Sequence, residues 1–278
     1  MKEIPEIPVF YKMSGSGNDF IIIDNREGAL KAEGIADTVA ALCRRRFSVG
    51  ADGLILIERS EKADFAWRFF NQDGTVAEMC GNGARCAARF ACLNRICGSE
   101  LSFETDAGII HASVDGMRVR LEMTKPDGIC TDEEIEACGR GFLFDRINTG
   151  VPHVVIWTAD LEGCQVVKWG RAIRYHEEFA PAGTNVNFVK QTEKGGLLIR
   201  TYERGVEDET LACGTGSVAA ALIAVQKGFA RSPVSVRTRG GELLTVYCNV
   251  SNTGDIDLFL EGDARVIYQG RLSKEAIR

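Results

Sequence analysis

Cys80-Gly81-Asn82-Gly83 and Cys213-Gly214-Thr215-Gly216 repeat one pattern within a chain of 278 residues. Such a pattern carries chemistry when it opens a helix. The first backbone N–H groups of a helix have no intrahelical partners and carry partial positive charge. They favour an anion, and glycine lets that anion approach the backbone closely. The same field can draw a neighbouring thiol from its free value of about 8.5 toward the range where thiolate forms near neutral pH. Each motif therefore offers a thiol or thiolate beside a carboxylate cradle. Two motifs facing each other would set one sulfur on each side of a bound amino acid. That arrangement can remove a proton from one face of a carbon and return another to the opposite face.

The flanking sequence supplies the elements that must hold these groups. Helical runs follow each motif, Ala84–Leu93 and Ser217–Gln226, with Ala87, Ala88 and Ala91 at the offsets of Ala220, Ala221 and Ala224. Strand-like alternation precedes each, in Ala66–Asn71 and Leu198–Glu203, and each run enters a polar loop before its cysteine. The loop before Cys213 is one residue longer than that before Cys80. The order strand, loop, Cys-Gly-x-Gly, helix thus occurs twice, as in a module duplicated within one chain. Both helices are apolar on nearly every side, which predicts burial.

This pattern predicts an α+β fold of two pseudo-symmetric domains. Each is a curved, mostly antiparallel sheet wrapped around a central helix, with the active site in the cleft between them. Lys125-Pro126-Asp127-Gly128 is a breaker cluster and the candidate boundary. The domains are then residues 1–125, with the tail 264–278 returning to them, and residues 126–263. A helix is expected over Ala32–Arg46, with Ile35, Val39, Leu42 and Cys43 on one face. The acidic run Thr131–Ala137 reads as a solvated surface segment. Gly15-Ser16-Gly17 precedes a strand rather than a helix, so it reads as a turn rather than a phosphate loop.

Composition narrows the class. The chain is 45% hydrophobic and 26% charged, as in a globular protein. Its net charge of −6 argues against nucleic acid or an anionic membrane as partner. No apolar run reaches the ~18 residues of a membrane span, and Met1–Glu6 lacks the apolar region of a signal peptide. A cytoplasmic location is expected, where the ten cysteines would be reduced. Cys80, Cys86, Cys92 and Cys97 are not at metal-ligand spacing, and there are only three histidines, so no metal site is expected. Cys43, Cys86, Cys92 and Cys248 read as small buried apolar residues.

Several motifs, taken in order, resemble the diaminopimelate epimerase family over nearly the whole chain. They are Gly-Ser-Gly with Asn18-Asp19-Phe20, Val49-Gly50-Ala51-Asp52-Gly53, Phe70-Asn71-Gln72-Asp73-Gly74, and Met79 with the first cysteine motif. Pro152-His153, Asn185, and Tyr202-Glu203-Arg204-Gly205 leading to Ala212 and the second cysteine motif complete the set. The resemblance implies an isomerase that interconverts LL- and meso-diaminopimelate without pyridoxal phosphate or another cofactor. It implies a homodimer acting on a small amino acid, with Cys80 and Cys213 as the two acid/base thiols. It assigns the reacting carboxylate to the backbone at Gly81-Asn82 and Gly214-Thr215. The rest of the substrate falls to Asn18, Asn71, Asn185, Glu203 and Arg204, and tuning of the thiols to His153 and Glu203.

Read without the family, Asn18, Asn71 and Asn185 stand at loop–strand junctions, where asparagine serves turns. His153 alone is as well explained by capping as by pKa tuning. Arg204 beside Glu203 suits a bidentate carboxylate clamp. The chain departs from the family at Val151, where Asn is usual before Pro-His, at Ser14, where His is common, and at Gly53, where some members carry Gln. Two alternatives stand beside this reading. One is a racemase of the same fold acting on proline, hydroxyproline or histidine. The other is a thiol redox sensor in which Cys80 and Cys213 pair.

Overall fold

A computed structural model describes residues 9–31, 33–77, 79–250 and 256–277. The Met1–Glu6 stretch lies outside the described residues. The chain forms two compact units, Met1–Leu121 with Gly262–Arg278, and Glu122–Glu261.

The first unit begins with β1 (Val9–Gly15) and β2 (Asn18–Asp24), followed by α1 (Ile35–Cys43), β3 (Gly53–Glu58), β4 (Phe65–Asn71) and α2 (Gly81–Leu93). It continues with β5 (Glu100–Thr105), β6 (Gly108–Asp115) and β7 (Arg118–Glu122), and regains a strand from the C-terminus, β17 (Arg265–Arg271). β17 pairs antiparallel with β1, and β1 with β2. β2 runs parallel to β3, β3 antiparallel to β4, β4 parallel to β5, and β5, β6 and β7 follow as antiparallel neighbours. α2 lies against β1, β2, β3 and β6. Small residues let it sit close: Gly83, Ala84, Ala87, Ala88 and Ala91 are buried, alongside the larger Arg85 and Phe90. A Cβ on Gly83 would come 3.2 Å from Ile55 Cδ1, which leaves little room for a larger residue.

The second unit holds β8 (Asp127–Ala137), β9 (Arg140–Asn148), β10 (Pro152–Trp157), α3 (Val166–Arg174), β11 (Asn185–Gln191) and β12 (Leu197–Glu203). Then come β13 (Asp208–Thr210), α4 (Gly214–Gln226), β14 (Val234–Arg237), β15 (Leu243–Val250) and β16 (Ile256–Asp263). Its pairing repeats that of the first unit. β8, β9 and β10 are successive antiparallel neighbours, as β17, β1 and β2 are. β10 is parallel to β11, β11 antiparallel to β12, β12 parallel to β14, and β14, β15 and β16 antiparallel. β17 and β8 hold matching positions, although β17 is the last strand of the chain and β8 is the first of the second unit. α4 is buried from Gly216 to Ala224 and forms the middle of a core with Val189, Leu197, Val236, Leu244, Val246 and Leu260.

The structure amends three readings. Both central helices begin at the glycine after the cysteine, three residues before the expected starts, so each cysteine is itself the N-cap. The helix expected over Ala32–Arg46 is limited to Ile35–Cys43, and Ala32 lies outside the described residues. Thr131–Ala137, expected as a solvated surface segment, is part of strand β8: Glu133, Glu134 and Glu136 face outward to differing degrees while Ile135 and Ala137 are buried. α3 and β9 went unread. α3 is amphipathic but short, with Val166, Gly170 and Ile173 buried.

Candidate active site

The two cysteines occupy equivalent positions, with extended backbone at φ −148° for Cys80 and −121° for Cys213. Each carbonyl starts its helix, accepting from Ala84 N at 2.8 Å in one case and Ser217 N at 3.0 Å in the other. Their sulfurs differ. Cys213 Sγ accepts from Gly216 N at 3.4 Å and lies 3.5 Å from Thr215 Oγ1. Cys80 makes no side-chain cap and is partly exposed, whereas Cys213 is buried. All ten cysteines are free thiols.

The glycines also divide. A Cβ on Gly81 would meet nothing within 4 Å, so packing does not demand glycine there and the backbone lies open to a ligand. A Cβ on Gly216 would lie 2.3 Å from Asn187 Oδ1, so that glycine is required by packing. Gly214 is intermediate, with Leu260 Cδ2 3.0 Å from the position of a Cβ.

Electrostatics amend the expectation for one thiol. Burial pushes Cys213 up to about 12, the Glu203 carboxylate adds to this, and the Thr215 and Gly216 donors oppose it without prevailing. In the substrate-free protein Cys213 is therefore a thiol: desolvation outweighs the field of the helix terminus. Burial likewise raises the Glu203 carboxyl above its ordinary range.

In the second unit the strand register gathers His153, Asn185 and Glu203 at one end of the sheet. His153 is directly beside Asn185 across β10 and β11, and Glu203 is the last residue of β12. Asn185 is buried, its Nδ2 donating to Pro152 O at 3.0 Å and its Oδ1 accepting from Arg204 N at 2.9 Å. It thus anchors the Arg204 backbone. The Arg204 side chain donates to Ala182 O at 3.1 Å, and no ion pair with a carboxylate occupies it among the described residues.

His153 is almost fully buried, and burial, followed by the nearby charge of Arg204, holds it down at about 3. It is neutral at physiological pH. Thr201 donates to Asn187 Oδ1 at 2.9 Å, so the amide nitrogen of Asn187 faces His153 Nδ1 at 3.1 Å and Val154 O at 2.9 Å. Nδ1 is then the acceptor and the proton sits on Nε2. That Nε2 is buried without a hydrogen-bond partner among the described residues. It is a donor held in reserve, not a resting base. Asn187 is a residue that sequence reading missed: it lies inside strand β11, and only the fold reveals its three partners, Thr201, His153 and Val154.

In the first unit, Asn82 Nδ2 donates to Asn18 Oδ1 at 2.7 Å, and Asn18 Nδ2 donates to Asp52 Oδ2 at 3.0 Å. Asn18 and Asn82 are thus brought together beside Cys80. Asn71 stands at the end of β4, as Glu203 stands at the end of β12, but it is exposed and bonds Thr75 Oγ1 at 3.0 Å within its own turn. Ser16 and Arg85 were not anticipated: Arg85 is fully buried and donates to Ser16 Oγ at 2.8 Å. The Gly15-Ser16-Gly17 stretch is the expected turn, between β1 and β2, and it also abuts α2, since a Cβ on Gly15 would come 2.8 Å from Asn82 O. At Gly53, a Cβ would lie 2.6 Å from Phe70 O, so this chain has no room there for a side chain.

The family model for diaminopimelate epimerase matches residues 10–128 and 146–267. A protein of Aquifex aeolicus named diaminopimelate epimerase is 47% identical over 279 residues, spanning 96% of this chain and 99% of its own length. One from a Hydrogenobaculum species, of the same name, is 49% identical over 276 residues, spanning 95% and 98%. Among solved structures, a phenazine biosynthesis protein of the PhzF family from Bacillus anthracis superposes with a TM-score of 0.74 at 16% identity, over 96% of this chain and 99% of that one. That likeness speaks for the fold alone.

Proposed function

The chain belongs to the diaminopimelate epimerase family, and from that premise we propose that it interconverts LL- and meso-2,6-diaminopimelate, a step in lysine and peptidoglycan precursor synthesis. The reaction uses two bases. One cysteine, as thiolate, takes the α-hydrogen, and the electron pair of the broken C–H bond spreads into the α-carboxylate. The other cysteine, as thiol, delivers its proton to the opposite face of the same carbon. The first sulfur ends protonated and the second ends as thiolate. The observation that carries this reading is the recurrence of a free thiol at the N-cap of a central helix in both units.

Because Cys213 rests protonated, it is the initial donor, and Cys80 is the initial base. Backbone N–H groups at Gly81-Asn82 and Gly214-Thr215 stabilise the carboxylate as it gains charge, an electrostatic preorganisation of the oxyanion-hole kind. The open backbone at Gly81 supports this role. When the roles reverse, Glu203 beside Cys213 receives or returns the thiol proton, and its raised affinity for a proton suits it to that exchange. The reserved Nε2–H of His153 is a donor for bound substrate. Arg204 grips the distal carboxylate, with Asn18, Asn71 and Asn185 completing the substrate contacts. The chemistry requires no pyridoxal phosphate.

The enzyme is assigned to the cytoplasm, where ten free thiols persist. A homodimer is part of the same proposal. Reduced protein, without added cofactor, is expected to form meso- from LL-diaminopimelate. Turnover of proline, hydroxyproline or histidine in its place would assign the chain to another substrate.

A further inference from the structure

Four side chains of the first unit form a continuous hydrogen-bonded line whose ends carry opposite charge. Arg85 Nη2 donates to Asn82 Oδ1 at 2.7 Å, Asn82 Nδ2 to Asn18 Oδ1 at 2.7 Å, and Asn18 Nδ2 to Asp52 Oδ2 at 3.0 Å. A guanidinium only donates, an ionised carboxylate only accepts, and each carboxamide has one end of each kind. Turning over either amide, or both, sets oxygen against oxygen or nitrogen against nitrogen in at least two places. Only the observed arrangement satisfies all three links.

We propose that Asp52 is a positioning residue for the reaction: its carboxylate fixes the Asn18 carboxamide, already braced from Arg85 through Asn82, before substrate binds. This rests on the assignment of Asn18 to substrate binding. Asp52 is itself firmly held. Its other oxygen accepts from Arg45 Nη2 at 2.7 Å, and Oδ2 also accepts from Asp19 N at 3.1 Å. Its own N–H donates to Asp19 O at 2.9 Å and to Asp19 Oδ1 at 3.1 Å. Asp19 is in turn paired with buried Lys12 at 2.8 Å and with Arg45. The segments carrying Asn18 and Asp52, which are 34 residues apart, are thereby fastened into one unit. At the inner end Asn82 and Arg85 are buried, so no solvent is available to satisfy a misdirected amide. The cost of aligning a substrate contact is met on folding rather than on binding.

If alignment precedes binding, losing it lowers the fraction of competent enzyme and raises KM while leaving kcat almost unchanged. Asp52→Ala removes the acceptor and is expected to raise KM for LL-diaminopimelate about tenfold with kcat within about threefold. Asp52→Asn loses the same charge but can turn its remaining oxygen to Asn18, so its KM is expected to stay within about threefold of the original. A residue that merely ties two loops would lower the unfolding temperature without this division. Independently of activity, the side-chain NH2 resonances of Asn18, assigned through Asn18→Ser in 15N-labelled protein, should shift and exchange faster with water in Asp52→Ala. Asp52→Ser, whose hydroxyl stops short of Asn18, replaces the alanine variant if that protein does not fold. An unchanged KM, Asp52→Asn as impaired as Asp52→Ala, or an Asn18 amide unmoved by loss of the acceptor overturns the proposal. If the unsubstituted protein does not epimerise diaminopimelate, the functional reading fails by itself, and the amide signals still decide the positioning role.

Discussion

The backbone N–H of Gly216 donates to Cys213 Sγ across 3.4 Å, so this sulfur caps a buried helix. No corresponding cap is made by Cys80. Two halves with the same pairing order thus present their thiols differently, one buried and protonated and the other partly exposed.

This difference predicts unequal alkylation. In substrate-free protein at pH 7, iodoacetamide should modify Cys80 at least about tenfold faster than Cys213, since thiolate and access both govern the rate. Modification of Cys213 should accelerate as pH climbs toward about 12. Peptide mapping over time reads both sites, and equal rates at pH 7 would show that burial does not protect Cys213.

Arg204 is expected to tolerate little change. Its guanidinium is placed by Ala182 O and its backbone by Asn185. Arg204→Lys keeps the charge and loses the two-pronged geometry, so kcat/KM for LL-diaminopimelate should fall by roughly 10- to 100-fold with the fold intact. Near-normal kinetics would remove Arg204 from substrate recognition.

The loop before Cys213 is secured by Arg200, which meets both oxygens of Glu209 at 2.7 Å and also donates to the carbonyls of Leu161, Glu162 and Cys164. Arg200 is buried. Arg200→Ala leaves Glu209 and three carbonyls without this donor and should cost about 3 kcal/mol in stability, as removal of one partner from a buried pair does. Urea unfolding measures it, and a loss below about 1 kcal/mol would mean the pair is not energetically buried.

Acid should act through His153. The unfolded imidazole binds a proton below its ordinary 6.5, whereas the folded one resists until about 3. The unfolded chain therefore holds more protons in that window, and stability falls as pH drops through it. The contribution is complete above 6.5. His153→Gln should flatten the dependence of unfolding free energy on pH between about 6.5 and 3, and an unaltered slope would assign the acid sensitivity to other groups.

The periodicity of small and apolar residues made both central helices legible, along with their burial and the duplication. Their starts were displaced because the pattern of alanines begins only after the glycines, while the backbone already turns helical at Gly81 and Gly214. β8 did not show as a strand because Glu133, Glu134 and Glu136 dominate its composition, although the buried Ile135 and Ala137 alternate with them. The cysteines were legible from their repeat, but the direction of the Cys213 shift was not. Its cause is burial, and burial depends on how the helix start is packed, as by Asn187 against Gly216 and Leu260 against Gly214, which no local pattern reveals. For the same reason the bond from Asn18 to Asp52 was invisible: each residue alone is an ordinary loop residue.

The central claim is that two thiols act on opposite faces of one carbon, and the isotope content of the first turnovers tests it most directly. The donating thiol equilibrates with deuterated buffer before substrate arrives. LL-diaminopimelate incubated briefly with the reduced enzyme should therefore yield meso product carrying one deuterium at the inverted carbon, while the remaining LL substrate carries almost none. Cys80→Ala and Cys213→Ala should each abolish inversion. Early product that retains its original α-hydrogen, or inversion at the original rate by Cys213→Ala, would contradict the two-thiol mechanism.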